Sequence, residues 1–167
     1  MSGLEPMPLP QELSWPEITT AAIAGVHRQV NALEQNRPSP YGNLELDPWT
    51  MHCDGCCAEM AVAKFFHHYW TPYVTGSLEG LIDVGQEIMV RSVRKWEHSL
   101  IVHPNEPDGL PFYLVVCRPP VFWLAGWLWG GEAKQERFWR EDAGVRWPAF
   151  FVPRSELRQV AQGFTPA

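Results

Sequence analysis

The sequence lacks long apolar runs. No stretch reaches the roughly 18 consecutive apolar residues that a membrane-spanning helix requires. Its first residues carry acids and prolines, where a secretion signal would carry positive charge followed by an apolar core. We therefore expect a cytoplasmic protein with no membrane partner.

Basic residues are scarce in the first half of the chain. Residues 1–87 carry 3 Lys or Arg and 11 Asp or Glu, whereas residues 88–167 carry 10 and 8, and the formal net charge is −6. An acidic chain is a weak non-specific binder of nucleic acid, because that affinity comes mostly from neutralising phosphates. The charge balance therefore counts against a DNA function, although Arg91, Arg94 and Lys95 form a local basic stretch.

The chain has only four cysteines, and three of them lie close together. Cys53, Cys56 and Cys57 include a Cys-x-x-Cys pair, whereas Cys117 is distant in the sequence. Such a pair is typical of zinc or redox sites, but a structural zinc needs four ligands, commonly from two such pairs. Small buried thiols on a helix explain the same residues equally well. The sequence leaves both interpretations open.

The 167 residues predict a single domain, 1–167, with an irregular proline-rich lead-in over about 1–13. Ser14 followed by Glu17 predicts a capping box, and helical spacing behind it predicts a helix over 15–35. A second helix is predicted from Pro48 or Asp54 to Tyr69. Gly76 and Gly80 then indicate turns.

The remaining pattern predicts a sheet. Alternating residues indicate a strand over 88–93, and the continuous apolar run 112–117 is typical of a strand buried on both faces. Further strands are predicted at 100–103, 121–128 and 149–152, with short helices at 132–139 and 156–162. This order predicts an α/β (α+β) fold with one central mixed β-sheet flanked by helices.

A partial catalytic signature lies in the middle of the chain. Glu59 is on the second predicted helix, Asp83 precedes a strand, and Arg91 lies on that strand. A helical Glu, an Asp entering a strand and a carboxylate two residues before a Lys can hold magnesium and an attacking water for phosphodiester hydrolysis. Here Met89 occupies the second carboxylate position, and a thioether is too soft for magnesium. A bulge after residue 85 would bring Glu87 into that position as a metal ligand.

A structural interpretation accounts for the same residues. Many soluble proteins carry a Glu on a helix, and Asp83 next to Gly85 can simply shape a turn. Arg91 stays protonated, so it can stabilise a phosphate but cannot act as a base.

A longer pattern resembles a known group. The segments 57–64, 69–70, 83–85, 90–92, 100–102, 112–115, 126–134 and 148–153 are similar to small phage and prophage proteins of the PD-(D/E)XK, or restriction-endonuclease-like, nuclease superfamily. The resemblance covers roughly residues 45–160. It implies a restriction-endonuclease-like core, Glu59, Asp83 and Arg91 as site residues, Mg²⁺ or Mn²⁺ as cofactor, DNA as substrate, and a location in the host cell or the virion. Met89 departs from the pattern of that group.

Three functions follow from these observations. The chain is a metal-dependent nuclease, or a catalytically degenerate relative that binds nucleic acid or protein, or a phage structural or host-takeover protein that contacts a phage or host protein. Met89 and the acidic charge favour the second and third. Nine tryptophans indicate an aromatic-rich core and are compatible with a homo-oligomer.

Overall fold

Two long helices lie between the first strand and the other strands in chain order. The computed structural model describes residues 5–37, 47–72, 82–85, 87–142 and 147–161. Helix α1 spans Trp15–Glu34, and helix α2 spans Pro48–Phe65. The predicted capping box is confirmed, since Glu17 Oε2 accepts from the Ser14 N–H at 2.6 Å and Ser14 Oγ accepts from the Glu17 N–H at 3.4 Å. The predicted turns around residues 76 and 80 lie outside the described residues.

The described strands form a four-stranded and a three-stranded sheet. They are β1 (Leu9–Glu12), β2 (Met89–Val93), β3 (Leu100–Val102), β4 (Pro111–Arg118), β5 (Val121–Trp129), β6 (Trp139–Arg140) and β7 (Ala149–Val152). The larger sheet has the order β1-β5-β4-β2 and is mixed, because β2 runs parallel to β4 while the other pairs are antiparallel. The smaller sheet, β3-β7-β6, is antiparallel. The α+β fold and its mixed sheet are confirmed, whereas the second sheet is an addition to the prediction.

The larger sheet is buried on both faces, as the apolar run predicts. Tyr113 and Val115 of β4 pack into a core shared with α1 and α2, which we call the helix-side core. Phe112 and Leu114 alternate with them and pack into a second core shared with β3 and β7, which we call the sheet-side core. Helices therefore cover one face of the mixed sheet, and the smaller sheet covers the other.

The lead-in contains a strand, so the prediction of an irregular segment over 1–13 is wrong there. Residues 9–12 form β1 and pair antiparallel with β5 at the edge of the larger sheet. Pro10 is tolerated because an edge strand has one row of backbone groups with no strand beside it. The prolines made this segment look irregular in the sequence, although it forms an edge strand of the larger sheet.

The predicted helices near the C-terminus are also wrong over the described residues. The first is reduced to helix α3 (Gly130–Ala133) and a 3₁₀ turn at Glu136–Phe138, after which Trp139 opens β6. The second is a 3₁₀ turn at Arg154–Glu156. The chain then extends along β5, where the backbone of Arg158 exchanges hydrogen bonds of 2.9 and 3.1 Å with that of Trp127.

The two long helices approach each other closely at a glycine. A Cβ added to Gly25 of α1 would lie 2.5 Å from the Cα of Cys53 in α2, closer than atoms in van der Waals contact can be. This contact brings the polar side chains of α1 next to α2. None of the helices formed by the described residues is both long and apolar enough to cross a membrane.

Candidate functional site

A tight turn places Asp83 beside the first residues of β2. The Asp83 N–H donates to the carbonyl of Ile88 at 3.1 Å, and the Ile88 N–H donates to the carbonyl of Val84 at 3.2 Å. Gly85 turns the chain with φ +61°, a conformation that glycine adopts without strain. Asp83 Oδ2 then accepts from the Val90 N–H at 2.6 Å. Asp83 therefore precedes the strand, as the sequence predicts, and its carboxylate also shapes the turn.

Glu59 faces α1 and is 5% exposed. Arg28 of α1 donates to both of its carboxylate oxygens, at 2.7 and 2.8 Å. Trp70 Nε1 lies 3.3 Å from Glu59 Oε2 and donates to it. Two parallel N–H···O bonds make this the strongest common form of ion pair. Glu59 is thus charge-compensated by a residue that the sequence pattern did not single out.

Arg91 lies at the end of the sheet-side core and contacts two carboxylates. Its Nη1 is 3.5 Å from Asp83 Oδ2, and its Nη2 donates to Glu106 Oε1. Its Nε donates to the carbonyl of Ile101 at 3.2 Å, and the guanidinium stands over the ring of Phe112 at 5.0 Å. Arg91 is 9% exposed, so these contacts replace most of its water.

Glu106 is a member of the cluster that the sequence analysis missed. Its Oε2 accepts from the His103 N–H at 2.7 Å, and Lys134 donates to its backbone carbonyl. Lys134 also donates to Asp108 Oδ1 at 2.6 Å. The only sequence signal is a Glu inside the Pro- and Gly-rich turn after β3, which by itself predicts a loop. We call Arg28, Glu59, Asp83, Arg91 and Glu106 the ion-pair cluster.

The surroundings of the cluster raise the pKa values of both Asp83 and Arg28, for different reasons. Burial raises the pKa of Asp83 to about 7, and the nearby charge of Glu59 adds to the increase, while Arg91 and the Val90 N–H act against it. Burial lowers the pKa of Arg28, but its hydrogen bonds and charge interaction with Glu59 more than offset this, so the pKa is above its usual value. The influence of Glu59 on Asp83 indicates that the two carboxylates belong to one electrostatic unit.

Met89 and Glu87 lie outside the ion-pair cluster. Met89 is 4% exposed and packs in the sheet-side core, opposite Phe112 in the neighbouring strand. Glu87 is exposed and lines a cavity of about 260 Å³ together with His68, Val84 and Ile88. In the described part of the chain, no three His, Cys, Asp or Glu side chains converge in a group suited to a metal ion.

The ion-pair cluster does not fit a bound magnesium ion. Magnesium needs hard oxygen ligands with free lone pairs. Both oxygens of Glu59 accept from Arg28, and Oδ2 of Asp83 accepts from the Val90 N–H next to Arg91. The two arginines therefore supply the positive charge that a cation would supply. Chemically the arrangement neutralises and holds its carboxylates and aligns α1, α2 and β2.

The thiols of Cys53, Cys57 and Cys117 lie near backbone carbonyls. Cys53 Sγ donates to the carbonyl of Ala22 at 3.5 Å, and Cys57 Sγ donates to that of Ile18 at 3.9 Å. Burial raises the pKa of Cys57 to about 12 and holds that of Cys117 well above its ordinary value. All four are free cysteines. These observations favour the interpretation as buried packing residues, because reactive thiols have low pKa values.

Comparisons with protein-family models, with curated proteins and with solved structures found no match for this chain.

Proposed function

We propose that this chain is a catalytically degenerate, nuclease-like protein of the phage type, with a restriction-endonuclease-like core, that acts in the host cytoplasm by binding a protein partner. The observation that carries the proposal is the pairing of both candidate metal ligands with arginines. Arg28 holds both oxygens of Glu59, and Arg91 lies against Asp83. Hydrolysis would require these carboxylates to be available to a cation.

The energetics of buried ion pairs support this proposal. Breaking a buried pair by removing one partner costs about 3–5 kcal/mol, because the remaining charge is left without compensation. A divalent ion binding Glu59 would separate it from Arg28, whose side chain is 18% exposed, while Arg91 would keep Glu106 as a partner. Met89 adds no oxygen ligand to offset this cost, since it packs in the sheet-side core.

The charge distribution supports a protein partner over DNA. The net charge of −6 repels phosphates, and Arg94 of the basic stretch is already paired with Asp54 at 2.6 and 3.0 Å. A net negative charge makes the electrostatic contribution that dominates non-specific nucleic-acid affinity small. Protein interfaces depend instead on apolar and aromatic side chains, and several of these are exposed here.

The test is a titration of the full chain with Mg²⁺ and with Mn²⁺ by calorimetry and thermal unfolding, followed by incubation with DNA and RNA of both strand forms. The proposal expects no saturable heat, no metal-dependent rise in Tm and no cleavage. A ligand that binds the folded state at 100 times its Kd would stabilise the protein by about 2.7 kcal/mol, which is readily detected.

Two variants make the titration specific. Asp83→Asn removes the candidate ligand, whereas Glu156→Gln removes a carboxylate whose partner is the surface residue Arg137. Saturable metal binding and cleavage in the wild type and in Glu156→Gln, both lost in Asp83→Asn, would overturn the proposal and establish a metal-dependent nuclease.

A further inference from the structure

An apolar stripe runs along the outer face of α1. Ile23 is 53% exposed, Val26 41%, Val30 40% and Leu33 57%, and Trp15 at the first turn is 66% exposed. At about 100° per residue, these five side chains fall within an arc of roughly 80°. We call them the outer stripe.

The buried face of α1 lies on the other side of the helix. Its buried residues are Ala21, Ala24, Gly25 and Gln29, and these face α2 and the helix-side core. The helix therefore has two apolar faces, of which only one is packed within the described part of the chain. Val26, Val30 and Leu33 also belong to the helical spacing of apolar residues that predicts α1, so this spacing arises partly from the outer face.

The spacing of the outer stripe matches a two-helix contact. Ile23, Val26, Val30 and Leu33 follow one another at intervals of three, four and three residues, which is the 3.5-residue period of helices that pair side by side. This series begins with the β-branched residue Ile23 and ends with Leu33, which resembles the pattern that favours two-stranded pairing of helices. A helix that contacted only solvent would have no need for this period.

The stripe suits a second copy of this chain. A two-fold interface brings the same surface of both copies together, so a charge near the axis would face its own copy. The stripe carries no charged residue, and Thr19, which lies within its arc, is neutral. Its exposed apolar area is on the order of 500 Å² per copy, and together with flanking side chains it approaches the roughly 800 Å² per partner of a standard interface.

We propose that the outer stripe of α1 is a homodimer interface, in which α1 of one copy packs against α1 of the other. The proposal does not depend on the ion-pair cluster, because the stripe is on the face of α1 turned away from α2. It specifies the partner as a second copy of this chain rather than a different protein.

The test is the oligomeric state of the full chain, measured by sedimentation velocity and light scattering over a wide concentration range. We expect a dimer for the wild type. Val26→Lys places two lysines in the apolar contact of each dimer and should weaken dimerisation at least about 100-fold. Leu33→Glu at the end of the stripe provides a second variant if Val26→Lys fails to fold.

The control is Met7→Lys, which places the same charge on an apolar side chain that is 70% exposed and lies outside α1, before the first residue of β1. It should remain a dimer, and circular dichroism should be unchanged in all variants. A monomeric wild type at every concentration would overturn the proposal. So would a dimer that persists in folded Val26→Lys and Leu33→Glu. A monomeric wild type whose Tm falls in Val26→Lys would overturn it in favour of a segment of the same chain covering the stripe.

Discussion

At the scale of single residues, the ion-pair cluster explains why the catalytic signature can be present in sequence and still lack the properties of a metal site. Asp83 stands between Arg91 at 3.5 Å and the charge of Glu59, which in turn is held by Arg28. The same carboxylates that would coordinate a cation instead hold protein cations. The residues match the signature, but the groups around them decide the chemistry.

Asp83 should make stability depend on pH in a specific direction. Its pKa is about 7 in the folded protein and about 3.9 in an unfolded chain. As pH rises from about 4 to 7, the unfolded state loses this proton first, so the free energy of unfolding falls, by at most about 1.4 kcal/mol per pH unit. Asp83→Asn removes this slope while keeping an oxygen that can accept from the Val90 N–H.

Urea unfolding of both proteins across this pH range isolates the effect, since all other titrating groups are shared. The wild type should lose stability relative to Asp83→Asn up to about pH 7, and the difference should be constant above that. A carboxyl carbon titration by NMR should place the Asp83 midpoint near neutrality. A midpoint below about 5, or a difference that grows in favour of the wild type, would contradict the assigned pKa.

Some members of the ion-pair cluster can be predicted from the sequence, and others cannot. Asp83 and Arg91 are close in the chain, so strand alternation brings them near each other. Arg28 and Glu106 reach the cluster through tertiary packing of α1 and of the turn after β3. A hint existed for Arg28, which falls among small residues on the buried side of α1, between Ala24 and Gln29. A charged residue on a buried helical face implies a buried partner, but does not identify it.

At the scale of elements, the contact between α1 and α2 requires a glycine at position 25, because there is no room for a side chain there. In Gly25→Ala the new Cβ would lie 2.5 Å from the Cα of Cys53, so the helices must separate. We expect a loss of about 1–3 kcal/mol from this overpacking, larger than the gain of about 1 kcal/mol that alanine brings to a helix interior. The measurement is the midpoint of urea unfolding.

Gly55 provides the matched control within α2. A Cβ there would have nothing within 4 Å, so Gly55→Ala should stabilise the protein by roughly 0.5–1 kcal/mol. If Gly25→Ala were equally stabilising, the close approach of the helices in the structure would be wrong. A lower free energy of unfolding in Gly25→Ala than in Gly55→Ala would therefore support the close approach of the two helices.

An element is predicted correctly when the residues that determine it are neighbours in the sequence. The capping box and the 3.6-residue period of α1 are local, and both were predicted correctly. β1 was missed because Pro8 and Pro10 disfavour strands, yet Pro10 is tolerated in this edge strand. The helix predicted after residue 155 is replaced by backbone pairing between Arg158 and Trp127. That pairing joins positions distant in the chain, so no local pattern could indicate it.

At the scale of the whole molecule, one sheet serves two cores, so the two should unfold together. Leu124 packs in the helix-side core and Leu114 in the sheet-side core, and both are fully buried. Leu→Ala at either position should cost about 2–5 kcal/mol. Tryptophan fluorescence and circular dichroism should report one coincident transition in both variants. A separate early transition in Leu114→Ala alone would show that the sheet-side core unfolds independently.

The segment before β1 is hydrogen-bonded to the segment that follows the 3₁₀ turn at Arg154–Glu156. The Met7 N–H donates to Gln159 Oε1, and Gln159 Nε2 donates back to the carbonyl of Met7, both at 2.7 Å. Two positions 152 residues apart in the chain are thus hydrogen-bonded to each other. If the chain were joined at these positions and opened at a loop elsewhere, the order of the sequence would change while the neighbouring strands and helices could remain the same.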